Sequence, residues 1–169
     1  DSQNQPRILY SRSSNCVLKY ASFDGVSWST ETITTQVNCA LTSGPIQLAL
    51  DASGTPHVTY LQYVGTAYMG YVVNYAHRTG LGAWDIETIP NSGGGDANHN
   101  EWSTYFSFAL DRFGNPHVLR PMDYGTSSSY EYANLTYFSK IGGVWSSELF
   151  EQTTQVCDPS TCRGTYYGG

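Results

Sequence analysis

Apolar and polar residues alternate in short runs along most of this chain, and Gly, Asp, Asn and Pro bound the runs. Alternation at period two between turn residues is the pattern of strands that bury one face. In the middle of the chain the runs fall at about 46–50, 56–62, 71–77 and 83–89. The first two are joined by Asp51-x-x-Gly54-x-Pro56. There Gly can take positive φ, the Asp carboxylate can accept from nearby amides, and Pro opens the next strand, which predicts a tight hairpin. Asp24-Gly25, Gly80-Leu81-Gly82 and Gly142-Gly143 supply the second type of short link, again suited to antiparallel hairpins.

The four-strand unit recurs. Ile46 to Val58 (IQLALDASGTPHV) returns as Phe106 to Val118 (FSFALDRFGNPHV), and the chain opens on the latter half of the same unit, so that Asp1, Asp51 and Asp111 correspond. Tyr20, Tyr75 and Tyr137 match in the third strand, Trp28, Trp84 and Trp145 in the fourth, and Glu31, Glu87 and Glu148 each follow the Trp by three. Three antiparallel meanders are therefore expected, at about 1–45, 46–105 and 106–151, with 152–169 leading toward a next one. The first lacks its innermost strand, so completion by more repeats or by neighbouring copies is expected. Repeated four-stranded meanders predict an all-β protein built of β-propeller blades.

The pattern LALDxxGxPHV followed by YAxxxGxxWxxExI resembles the blade repeat of bacterial secreted β-propellers of the sialidase/BNR-like and lectin-like kind. The resemblance covers nearly the whole chain and implies a propeller fold. Such propellers serve as scaffolds, lectins and enzymes. The Ser-x-Asp-x-Gly-x-Thr-Trp form of the sialidase box is missing here.

Composition narrows the function classes. Charged residues make up 13% of the 169 residues and aromatics 14%, with 14 Tyr, a balance of strands and turns rather than helices. The net charge of −6, without any basic run, would repel a phosphate backbone, so nucleic acid is not an expected partner. No apolar stretch reaches the length of a membrane helix, and a soluble chain whose export signal has been removed is expected. Four Cys allow three pairings. Cys16 begins the third strand of the first meander and Cys39 lies past the end of the fourth, while Cys157 and Cys162 flank a turn-forming Asp-Pro-Ser-Thr. Cys16–Cys39 and Cys157–Cys162 disulfides are the expectation, in an oxidising, extracellular setting. The spacings lack the paired knuckles of a four-Cys metal site. Asn134-Leu135-Thr136 is an N-glycosylation sequon at the start of a strand.

In such a meander the second-to-third links and the links between units emerge at one end. That end carries the long insertions, at 34–44, 61–71, 90–105, 121–132 and 151–165, and variable function is expected there. Tyr63, Tyr68, Tyr71, Trp102, Tyr124, Tyr130 and Tyr132 lie in these segments. Their rings can stack on sugars or on a protein partner, or simply cover sheet edges. Asp96, Asn98 and Asn100 stand at alternate positions like the start of a calcium loop, but no Gly follows at the sixth position and the twelfth is Ser107. No cofactor is expected, and calcium is the one candidate ion. His57 and His117 recur at one repeat position where the first unit has Arg7, which favours a structural role over a pH-sensing or metal role. The six Arg are scattered, and no nucleophile, zinc or phosphate-loop motif is present. A secreted, non-enzymatic module with a structural or adhesive role is therefore expected. A lectin using the Tyr-rich end and a segment of a glycan-processing enzyme are the alternatives.

Overall fold

The computed structural model describes residues 1–12, 17–35, 45–64, 70–93, 100–101, 105–126 and 129–154, with backbone only at 100–101, 123–126, 129–133 and 153–154. The described residues form twelve strands and no helix. Sheet 1 is β1 (Arg7–Arg12), β2 (Val17–Phe23) and β3 (Trp28–Thr35). Sheet 2 is β4 (Ile46–Leu50), β5 (Pro56–Tyr63), β6 (Tyr71–Gly80) and β7 (Ala83–Thr88). Sheet 3 contains β9 (Ser107–Leu110), β10 (Pro116–Thr126), β11 (Ser129–Ile141) and β12 (Val144–Thr154), and the two-residue β8 (Asn100–Glu101) joins the far end of β10. Each sheet is an antiparallel meander, and no sheet closes on itself.

The expected strands of the second unit agree with β4 to β7 within one residue at every end except that of β6, which runs on to Gly80, and the first unit has three strands where the second has four. The turns explain the agreement. Asp51 Oδ1 accepts from the Ser53 and Thr55 amides, and Asp111 Oδ1 from those of Phe113 and Asn115. Asp1 Oδ1 does the same for Gln3 and Gln5. The left-handed position is held by Gly54 and Gly114 at φ of 83° and 82°, and by Asn4 at 56° in the first unit. Asn tolerates that region better than other side chains.

Two expectations need correction. The segment 121–132 is not a loop: β10 and β11 run through it, paired from His117↔Ser139 out to Thr126↔Ser129 with a bulge at Tyr124/Gly125. Asn134 is not at a strand start. It lies inside β11, between Met122 on β10 and Gln152 on β12. It shares a sheet face with its direct partner Met122, which is buried in the core, and its own Oδ1 is buried without a partner. A glycan on this amide would have to emerge from the interior of a sheet.

The three sheets stack face to face, with sheet 2 in the middle. One face of sheet 2 gives Val58, Tyr60 and Ala76 to a core shared with Leu18, Tyr20 and Ile33 of sheet 1. The other gives Leu61, Val73 and Tyr75 to a core shared with Phe106, Val118, Met122 and Phe138 next to and within sheet 3, closed by Ile89. Both faces of β5 and β6 are thus covered, which is why six consecutive residues from Pro56 to Leu61 are buried, the polar His57 and Thr59 among them. A strand enclosed on both sides has no solvent-facing side. At the inner edges, β4 lies against both β1 and β9.

Candidate functional site

The recurring polar residues do two jobs, one inside each sheet and one between sheets. Inside sheet 2, His57 Nδ1 lies 2.5 Å from the Tyr75 hydroxyl, and His57 Nε2 lies 3.5 Å from Asp51 Oδ2. Sheet 3 repeats this chain in Asp111, His117 and Tyr137 at 3.5 and 2.5 Å. Burial holds the His57 imidazole below its ordinary pKa and the Tyr75 phenol above its own. The consistent assignment is a neutral imidazole that accepts from the phenol at Nδ1 and turns Nε2–H toward Asp51. At 3.5 Å that last approach is electrostatic attraction rather than a strong hydrogen bond. Asp111 is held near 2 by the Asn115 side chain and neighbouring amides. In sheet 1 Arg7 replaces the histidine, bonding Asp1 Oδ2 at 2.5 Å and the Phe23 carbonyl at 3.0 Å. An Asp–His–hydroxyl line resembles nucleophile activation, but Tyr75 is only 3% exposed and its hydroxyl is closed to a substrate. These lines tie each first turn to the third strand.

Between sheets, one latch occurs twice. Glu31 on β3 accepts from Arg78 Nη2 at 2.5 Å and from Trp84 Nε1 at 3.2 Å, both in sheet 2, while the Trp84 ring meets Tyr20 edge-on at 5.6 Å. One unit later Glu87 on β7 pairs with Lys140 of sheet 3, and Trp145 meets Tyr75 edge-on at 5.7 Å. Glu31 and Glu87 occupy one repeat position, as do Arg78 and Lys140, and as do the two Trp. The second copy is looser: Trp145 Nε1 is buried without a partner. A third contact joins the inner edges, where the Gln47 amide on β4 donates to Phe106 O at 2.8 Å and accepts from Phe108 N at 2.7 Å. Gln47 thereby completes the free backbone edge of β9 as another strand would.

The same positions are open on the two outer sheets. Glu31 is 9% exposed, but Glu148 is exposed. Thr59 is fully buried, but its counterpart Leu119 is 36% exposed. Trp84 is half-buried, whereas Trp28 on sheet 1 is 51% exposed and leans on Phe23. Phe23 stands at the position of Arg78 and Lys140.

Of the expected binding residues, the structure brings together Tyr63 and Tyr71, paired across β5 and β6 with ring centroids 5.3 Å apart. Tyr124, Tyr130 and Tyr132 are strand residues of the long hairpin, with Tyr124 opposite Tyr132 in the backbone ladder. Asn100 lies in β8, opposite Gly125. Tyr68, Asp96, Asn98, Trp102, Cys16, Cys39, Cys157 and Cys162 lie outside the described residues. Among the described residues no His, Cys, Asp and Glu cluster could hold a metal ion, and no helix is long and apolar enough to cross a membrane.

Sequence reasoning missed Arg120, which is fully buried between sheets 2 and 3 and donates to Tyr71 O at 3.0 Å. Gly93 makes room for it, since a Cβ there would lie 1.7 Å from Tyr71 O and 2.3 Å from Arg120 Nη1. The signal was available: Arg120 breaks the repeat at the position of Tyr10 and Tyr60. The Glu latches leave no local signal because their partners lie 47 and 53 residues away. Comparison with protein-family models, with curated proteins and with solved structures finds no match to this chain.

Proposed function

We propose that this chain is a secreted, non-enzymatic β-propeller module with a structural or adhesive role, in which sheets stack blade on blade and the two outer faces receive further blades or neighbouring copies. One observation carries the reading. Positions wholly or partly buried at the two internal junctions, in the Glu latch, in the Trp–Tyr contact and at Thr59, are exposed at the ends of the stack as Glu148, Trp28 and Leu119. Large apolar residues left open at positions that elsewhere form an interface mark a surface for association. The extracellular setting rests on the expected disulfides. The ladder of β2 and β3 ends at Val17↔Thr35, one residue from Cys16 and four from Cys39. Sedimentation velocity over a range of concentrations tests the proposal. Concentration-dependent assembly that Trp28→Ser weakens is expected, and a compact monomer at all concentrations would defeat the self-assembling form.

A second reading, a lectin, is favoured by the Tyr63–Tyr71 pair, whose half-buried rings lie at the insertion-bearing end of sheet 2. Rings of this kind can stack on the apolar face of a sugar. Glycan-array binding that Tyr63→Ala abolishes would support it, and an array without any binding would remove it.

A further inference from the structure

Among the described residues the inner edge of sheet 1 carries no further strand, and the other two sheets specify what fits it. In sheets 2 and 3 the second strand, β5 or β10, is flanked by a first strand, β4 or β9. Among the described residues the matching strand β1 pairs only with β2. Pro6 O accepts from the Phe23 amide at 3.2 Å, so Pro6, Ile8 and Tyr10 direct their backbone groups toward β2. By the alternation of an antiparallel ladder, Arg7, Leu9 and Ser11 direct theirs outward. These outward groups carry no backbone hydrogen bond among the described residues. β4 lies beside this edge but forms its ladder with β5.

We infer that the β1 edge is a docking site for an extended strand of a partner polypeptide with the chemistry of β4: apolar, Gln, apolar, small, apolar. The inference rests on the blade reading above and names the segment that completes the first blade. The register follows from the pairs Ile46↔Tyr60, Gln47↔Thr59, Leu48↔Val58, Ala49↔His57 and Leu50↔Pro56. Shifted to sheet 1, the five incoming residues oppose Tyr10, Leu9, Ile8, Arg7 and Pro6 in that order. The second and fourth exchange backbone hydrogen bonds with Leu9 and Arg7. The Gln at the second place reaches the Leu48 amide and the Ile46 carbonyl of β4, as Gln47 reaches Phe108 N and Phe106 O. The occupant is thus specified by a main-chain ladder, as in strand addition generally, and by one side-chain amide.

The test adds a synthetic peptide with the sequence of residues 45–51 (PIQLALD) to the full chain and follows amide hydrogen exchange by NMR. Saturable protection is expected at Arg7, Leu9 and Ser11, and at Leu48. Replacing Gln by Ala in the peptide removes two hydrogen bonds and should weaken binding about ten-fold, with loss of the Leu48 effect. A peptide N-methylated at its second and fourth strand residues keeps every side chain but cannot form the ladder, so it should not bind. Equal binding by the N-methylated peptide, no protection at the three β1 amides, or β1-to-β1 pairing of two copies would overturn the inference. Sedimentation of the same samples separates the two ideas: a chain that still associates through Trp28 while ignoring the peptide retains the blade reading and loses this one.

Discussion

Substitution of Glu31 probes the junction between sheets 1 and 2 at its most enclosed charge. Its side chain is 8% exposed and that of Arg78 27%, at 2.5 Å, with Trp84 Nε1 as a second donor. Removing one partner of a buried pair costs about 3–5 kcal/mol, because the remaining charge is left uncompensated. Arg78 retains partial access to water, which places Glu31→Ala at the low end, about 3 kcal/mol. Arg78→Met strands the more deeply covered carboxylate and should cost about 3–4 kcal/mol. If the two groups act on each other across the junction, the double variant loses less than the sum, by a coupling of about 2 kcal/mol. Urea unfolding of the parent, both single variants and the double variant measures this directly. The equivalent cycle at Glu87 and Lys140, with exposures of 32% and 17%, should give about half as much, since water screens a more open pair. A Glu31–Arg78 coupling below about 0.5 kcal/mol, the value of a solvated surface pair, would refute the reasoning.

Four further outcomes are expected. Gln47→Ala orphans the Phe108 amide and Phe106 carbonyl and should cost about 1–3 kcal/mol, with faster amide exchange at Phe108 than in the parent. Gly93→Ala drives a methyl into Tyr71 O and Arg120 and should lower stability by about 3 kcal/mol or prevent folding, whereas Gly82→Ala, with open space around it, should cost only about 1 kcal/mol for its positive φ. Because burial depresses the folded-state pKa of His57 below 6.5, the unfolded chain takes up that proton first. Its contribution is therefore present above 6.5 and lost as pH falls through the folded value; Asp111, held at about 2 against 3.8, adds a second loss between those two values. His57→Gln should flatten the first leg and Asp111→Asn the second in urea titrations from pH 7 to pH 2. Finally, Phe23→Lys puts a cation where Arg78 and Lys140 stand, within the reach a neighbouring copy's Glu148 would need, and should strengthen association in sedimentation; unchanged association would argue against copies meeting through these faces.

How much of this was legible depended on sequence distance. The Asp-x-x-Gly-x-Pro turns announce themselves because carboxylate, left-handed residue and strand-opening proline lie within six positions, and β4 to β7 follow from period-two alternation. Even Asn4, in place of glycine, keeps the turn. The long β10–β11 hairpin escaped because polar Ser, Asp and Glu surround its tyrosines, although Tyr130 and Tyr132 preserve the alternation. The latches were invisible for another reason. A repeated Glu looks structural in one unit, and only the stacking of units shows that it serves the next one, through Arg78 or Lys140. Arg7, Arg78 and Arg120 looked scattered because each answers a different local need: an aspartate in its own turn, a glutamate on the preceding sheet, and a carbonyl at the start of β6.

The claim on which everything else stands is that three like sheets lie face on face through one repeated contact. Nuclear Overhauser measurements on the indole protons of Trp84 and Trp145 test it most directly. Cross-peaks from Trp84 to Tyr20 and from Trp145 to Tyr75 are the expected result, given ring centroids 5.6 and 5.7 Å apart. Indole contacts confined to residues of their own sheets, β6 and β7 for Trp84 and β11 and β12 for Trp145, would contradict it.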